Sequence, residues 1–295
     1  MQSVFYIVLG VLSSFSTSLS YKLGSGRKQN HLSSAPLLCG LVTPIIASAY
    51  LIIAILTGAT VSWTTVLCAL LGGFCYFIAA FCYLNALNVG PFTVTAGLLN
   101  FSALMPTVYS VVLLKGQSMT AIQIAGFFLL VVSVVLLAAS KKTTQTSGKA
   151  SWKWLLWMIP MFITNSIINF ASRLQIYLTG SGESFSYTAL CYGFSFLLCV
   201  FSFFALGGLK VTGKEKVKHY FLPAFCLALS LGANMLAHLR LPALNIPAAI
   251  QYPVISGSST ILAMIVGITV FHEKIRFYGY FAIAGGIAAM VLLNM

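Results

Sequence analysis

Ten apolar stretches follow one another along the chain, each about as long as a bilayer's hydrocarbon core is thick, and only short polar segments separate them. A core of about 30 Å needs roughly 20 apolar residues in a helix. Residues 4–23, 36–57, 63–87, 91–114, 120–139, 153–176, 185–206, 219–241, 246–271 and 277–294 meet that requirement and predict ten transmembrane helices. The expected fold class is therefore all-α, a polytopic membrane protein. Apolar residues make up 59% of the sequence against 6% charged, a balance that a soluble core of this size does not need. The longest connections, 141–152 and 207–218, hold about a dozen residues each, too few for a soluble catalytic or nucleic-acid-binding domain. The start, MQSVFYIVLG, has no basic region and no clear cleavage site, so it reads as the first helix rather than a secretion signal.

Lysine and arginine are distributed unevenly between the two sides that ten spans define. Lys22, Arg27, Lys28, Lys141, Lys142, Lys149, Lys153, Lys210, Lys214, Lys216, Lys218, Lys274 and Arg276 follow the odd-numbered helices, whereas Lys115, Arg173 and Arg240 lie on the other side. Basic loops stay in the cytoplasm, so both termini are expected outside it, in a plasma (inner) membrane. The net charge of +13 thus sets topology, and nucleic acid is not an expected partner. The seven cysteines lie in apolar stretches without neighbouring His or carboxylate, so they read as packing residues, and neither a metal nor a cofactor is expected.

The two halves echo each other. ALNV at 86–89 returns as ALNI at 243–246, and Ser14, Ser18 and Lys22 in helix one share their four-residue step with Asn165, Asn169 and Arg173 in helix six. A five-helix unit used twice is implied, 1–140 and 153–295 joined by a linker at 141–152. Because five is odd, the second copy crosses the membrane in the opposite sense, the inverted repeat of many secondary transporters.

Near the end of each half a helix, a short turn and a last helix follow one another. Gly116, Gln117, Met119, Thr120, Gln123 and Gly126 fit the form G-E-x-L-T-x-x-Q-x-x-G with Gln117 in place of Glu, and in the second half His272 and Glu273 occupy the turn, with Gly279 arriving three residues early. On these motifs the chain resembles the drug/metabolite transporter superfamily, EamA type, over essentially its whole length. The resemblance implies a ten-helix transporter that moves small metabolites by alternating access. Members are often described with both termini cytoplasmic, opposite to the charge count here.

Acidic residues number three in all, Glu183, Glu215 and Glu273, and all fall between the apolar stretches. Exchange of a proton for a cationic drug needs a carboxylate within the membrane, so that mechanism is not expected. Sodium coupling through backbone carbonyls and hydroxyls stays open. For Glu273, a turn residue balanced by His272, Lys274 and Arg276 is the expected role. Polar stripes in hydrocarbon must face a partner helix or a wet cavity: Ser14, Ser18 and Lys22; Asn165, Asn169 and Arg173; and Ser230, Asn234 and His238. Asn100 lies between Pro91 and Pro106, and Pro247 and Pro253 bracket Gln251 and Tyr252, where proline frees backbone carbonyls. These twelve polar residues are the candidate substrate-binding set. Trp63, Trp152 and Trp154 read as interface anchors, and Gly257, Gly267, Gly279, Gly285 and Gly286 permit close helix approach or self-association into a homodimer.

The expected function is a secondary transporter or exchanger of a small neutral, zwitterionic or anionic metabolite, not an enzyme, with a cavity between helices one, three, four, six, eight and nine. An intramembrane hydrolase using His238 and a serine would lack an orienting carboxylate. A scaffold or regulator would tolerate Asn100→Leu and Asn169→Leu, and no ring of like side chains suggests a channel.

Overall fold

The computed structural model describes residues 2–25, 34–102, 120–139, 152–206, 214–244, 248–273 and 277–292. Among them are ten α-helices and no strand: α1 (Gln2–Ser25), α2 (Ser34–Leu56), α3 (Trp63–Val89), α4 (Phe92–Ser102), α5 (Ala121–Ala139), α6 (Trp152–Thr179), α7 (Ser184–Ala205), α8 (Lys214–Ala243), α9 (Ala248–Thr269) and α10 (Phe277–Leu292). Each overlaps one of the expected stretches, α4 being described over only the first part of 91–114. Six of them, α1, α2, α3, α6, α7 and α8, are long and apolar enough to cross a membrane. Pro106, Lys115, Gly116, Gln117, Met119, Pro247, Lys274 and Arg276 lie outside the described residues, so half of the first turn motif does too.

Local chemistry sets several ends. Ser62 caps α3 by accepting from the Thr65 N–H at 3.3 Å, which satisfies one orphan donor of the first turn. Gly180 takes a φ of +76° between α6 and a short 3₁₀ turn at Ser181–Glu183, a conformation that side chains with a Cβ disfavour.

The polarity of the molecule is arranged as lipid requires. Val4, Leu12, Ile52, Phe74, Ile163, Phe201, Leu229 and Phe281 are exposed, while Asn100, Gln175, Gln251, Ser259 and Thr260 are buried. Apolar surface of that extent has no place against water and matches acyl chains. This is the construction of an integral membrane protein.

Helices pack mainly across the two halves of the chain. The most extensive interface joins α3 to α6; α1 lies on α8, α2 on α7, α5 on α10 and α4 on α9, with α3 also touching α7 and α1 touching α9. Several interfaces require the absence of a side chain. A Cβ on Gly73 would stand 2.5 Å from the Cys191 carbonyl oxygen, and one on Gly267 would meet Thr93 Oγ1. Gly285 and Gly286 face Ser133 and Phe101 in the same way, so these glycines serve contacts within the chain. A Cβ on Gly90 would collide with the Trp154 ring, which is 2% exposed and donates from Nε1 to Thr95 Oγ1 at 3.1 Å. Trp154 is therefore a core residue, contrary to the interface role expected of it. Its neighbour in sequence Trp152 is 70% exposed and Trp63 is 75% exposed.

Candidate functional site

A cavity of about 110 Å³ lies between α1, α3, α4, α6, α8 and α9. One water needs roughly 10–15 Å³, so the space suits several waters or one small solute. Its walls combine Ser14, Thr17 and Tyr21 from α1, Tyr76 and Tyr83 from α3, Asn100 from α4, Asn165 and Asn169 from α6, Asn234 and His238 from α8, and Ser256 from α9. The four-residue steps of α6 and α8 explain the placement, since residues at i and i+4 share a face.

At the centre a hydrogen-bonded seam crosses from half to half. Asn100 Nδ2 donates to Thr260 Oγ1 at 3.1 Å, and Ser14 Oγ makes long contacts of 3.4 Å with Asn100 Oδ1 and with Ser259 Oγ. Asn165 Nδ2 donates to Ser102 Oγ at 2.6 Å, and Ser166 Oγ to the Ser102 carbonyl at 3.1 Å. At another wall the Tyr21 and Tyr76 hydroxyls meet at 3.1 Å, and Tyr21 packs edge-on against Tyr83 with ring centroids 5.2 Å apart. Gln251, fully buried, pairs through Nε2 with His238 Nδ1 at 2.7 Å.

Of the twelve residues singled out from sequence, Ser14, Asn100, Asn165, Asn169, Asn234 and His238 line this cavity, and Gln251 supports it through His238. Ser230 is buried and turns back to the Leu227 carbonyl at 3.1 Å, so it belongs to α8 packing and not to the cavity wall. Ser18 is buried beside the cavity without lining it. Lys22 ends α1, where Nζ reaches the Leu87 carbonyl at 3.4 Å and lies 5.8 Å from the Phe271 ring centroid. Arg173 acts electrostatically on His238. The Tyr252 side chain lies outside what the structure describes. The tyrosines Tyr21, Tyr76 and Tyr83 were missed. The seven-residue step from Tyr76 to Tyr83 put both on one face of α3, a signal that the abundance of aromatic residues concealed.

Two carboxylates lie at opposite ends of the helices, and both cap first-half helices from the second half. Glu273 accepts from the backbone N–H groups of Phe92 and Thr93 (the latter at 2.9 Å), which open α4, and it acts electrostatically on Lys22. Its hydrogen-bond partners among the described residues are thus amides some 180 positions away, while Lys274 and Arg276 of the expected local balance lie outside the described residues. Glu183 accepts from Ser62 Oγ at 2.7 Å, from the Ser62 N–H at 3.0 Å and from Thr65 Oγ1, at the start of α3. Negative charge is favoured at a helix N-terminus. The hydroxyls of Thr65 and Ser62, with the Ser62 N–H, hold the Glu183 carboxyl below the usual carboxylate range.

Among the described residues no group of three His, Cys, Asp or Glu is placed to hold a metal ion. No family model and no curated protein matches the chain. A solved structure described as "Crystal structure of protein" is similar to it, with a TM-score of 0.57 over 96% of this chain and 95% of that chain at 14% sequence identity. At that identity the likeness shows the fold alone. Fold and composition together define an all-helical membrane protein, and its helices surround a chamber lined in part by polar side chains.

Proposed function

We propose that the protein is a secondary transporter or exchanger of a small metabolite, working by alternating access in the manner of the drug/metabolite transporter superfamily that its turn motifs resemble. The observation that carries this reading is the cavity itself: amides, hydroxyls and tyrosines from six helices, contributed by both halves, converge on one space in a protein whose outside is apolar.

Ten spans in two inverted five-helix repeats supply the machinery in this reading, with both termini outside the cytoplasm of a plasma membrane. Helix packing supports the repeat. Advancing each helix by five turns α3 on α6 into α8 on α1, turns α3 on α7 into α8 on α2, and leaves α2 on α7, α4 on α9 and α5 on α10 unchanged; all of these interfaces occur. The register that sets Ala86 on Ala243 sets Ser102 on Ser259, and the register that sets Lys22 on Arg173 sets Ser14 on Asn165. The Asn165–Ser102 hydrogen bond is then the counterpart of the Ser14–Ser259 contact.

Among the described residues no carboxylate lines the cavity, so in this reading coupling does not run through a membrane-embedded acid, and the solute is neutral, zwitterionic or anionic. Purified protein in liposomes loaded with a metabolite mixture should catalyse counterflow of at least one such solute, and Asn100→Leu should abolish it without loss of folded protein. Failure to move any solute under any imposed gradient would overturn the reading.

A further inference from the structure

The end of the cavity beyond Tyr21 and Tyr83 is closed. Leu87, one turn past Tyr83 in α3, is 2% exposed, and Phe92, two turns before Asn100 in α4, is fully buried. Four elements meet there. Glu273, in the turn after α9, accepts from the first amides of α4, those of Phe92 and Thr93, while its own N–H returns to the Gly267 carbonyl at 2.9 Å. Phe271 packs edge-on against Phe92 with ring centroids 5.3 Å apart. Lys22, near the end of α1, lies over the Phe271 ring and reaches the Leu87 carbonyl in the last turn of α3. The carboxylate, the ring pair and the lysine–ring contact each join the first half of the chain to the second.

This closed arrangement carries two costs. His272, which precedes Glu273 in the turn, has a φ of +50°, a left-handed conformation that a residue with a Cβ adopts only at a cost. The Thr93 hydroxyl is buried against the α9 backbone at Gly267 without a hydrogen-bond partner among the described residues, and water would satisfy it if α4 and α9 parted. Strain of this kind gathers at segments that switch. We propose that Glu273 is a latch: it ties the α9–α10 turn to the start of α4, seals this end of the cavity, and lets go of the α4 amides when the cavity opens there. His272 beside it is exposed, so on release the carboxylate passes to water and the freed amides of the first turn are hydrated in their turn. No charge is left buried by the opening. This rests on the alternating-access reading and names the contact that one of its two gates must break.

The test places a cysteine under the latch, Leu87→Cys, in purified full-length protein and follows its modification by N-ethylmaleimide, peptide by peptide, with mass spectrometry. Adding Glu273→Gln, which keeps the shape and weakens the acceptor, should speed modification at position 87 ten-fold or more. Cys39 and Cys199, 2% and 0% exposed, report general unfolding and should stay unmodified over the same time. Glu183→Gln, at the opposite end of the helices, should leave the rate at position 87 unchanged. No acceleration by Glu273→Gln would overturn the latch, and so would an equal acceleration at Cys39 and Cys199 or by Glu183→Gln. A second measurement locks the contact. A Cβ on Gly267 stands 3.3 Å from Thr93 Cβ, just under the usual spacing across a disulfide. Thr93→Cys with Gly267→Cys, oxidised by diamide, should therefore halt counterflow of the metabolite mixture in liposomes, and a reducing thiol should restore it. Counterflow that continues through the formed crosslink would overturn the latch alone, whereas absence of all counterflow before oxidation would remove the transporter reading beneath it.

Discussion

Glu183 and Glu273 show how a scarce residue type is used when nearly every position must be apolar. Each carboxylate meets backbone N–H groups at the first turn of a helix from the other half, where a negative charge offsets both the orphan donors and the helix dipole. For Glu183 the consequence depends on pH. Its folded-state carboxyl ionises below the unfolded value of about 4.3, so its stabilisation is present above that pH and is lost as pH falls through the depressed folded value. Thermal melts from pH 7 downward should show the wild type losing stability below about pH 4, while Glu183→Gln, already uncharged, shows a flatter acid limb. Identical acid limbs would contradict the capping role. The sequence placed both acids correctly between helices, but their partners were not legible, because a cap 180 positions away leaves no local signature. The cavity residues were more accessible. Asn165, Asn169, Asn234 and His238 could be found because polar side chains at helical spacing in hydrocarbon must face inward, whereas Ser230 has the same spacing and satisfies itself within its helix.

At the scale of elements, the α3–α7 contact is set by what α3 omits. The position a Cβ would take on Gly73 is 2.5 Å from a backbone oxygen and 2.9 Å from Phe194 Cβ, and neither belongs to a flexible side-chain tip. Gly73→Ala should therefore force α3 and α7 apart, costing about 1–3 kcal/mol. Gly193→Ala lies on α7 over open space and should be neutral or stabilise by up to about 1 kcal/mol through helix propensity alone. Melting both variants in one detergent checks the contrast, and equal destabilisation would count against the packing described. Helix positions were readable from hydrophobic length. The faces that meet were much less so, since these helices are apolar around most of their circumference and periodicity marks only the polar stripes. Trp154 illustrates the loss: near a helix end it reads as an anchor, yet the bare backbone at Gly90 makes room for it in the core.

For the whole molecule the charge count makes a definite statement about orientation. Ser181 lies in the turn after α6 on the side poor in basic residues, and His272 lies after α9 on the side rich in them; both are exposed. On intact cells a membrane-impermeant thiol reagent should label Ser181→Cys and leave His272→Cys unlabelled until the membrane is opened. The reverse pattern would show both termini to be cytoplasmic. A proposed doubling of the chain was legible in outline from ALNV and ALNI, because repeated strings survive in sequence. How the halves interlock was not, since α3 on α6 and α1 on α8 depend on surfaces that are similar along every helix.

The direction of the two caps has a consequence for biogenesis. Both acids are encoded late and serve helices made early, so α4 lacks its carboxylate cap and α3 keeps just its local Ser62 cap until positions 183 and 273 have left the ribosome. The first half is thus an unfinished object while it waits, and the last loop to be synthesised is the one that closes it.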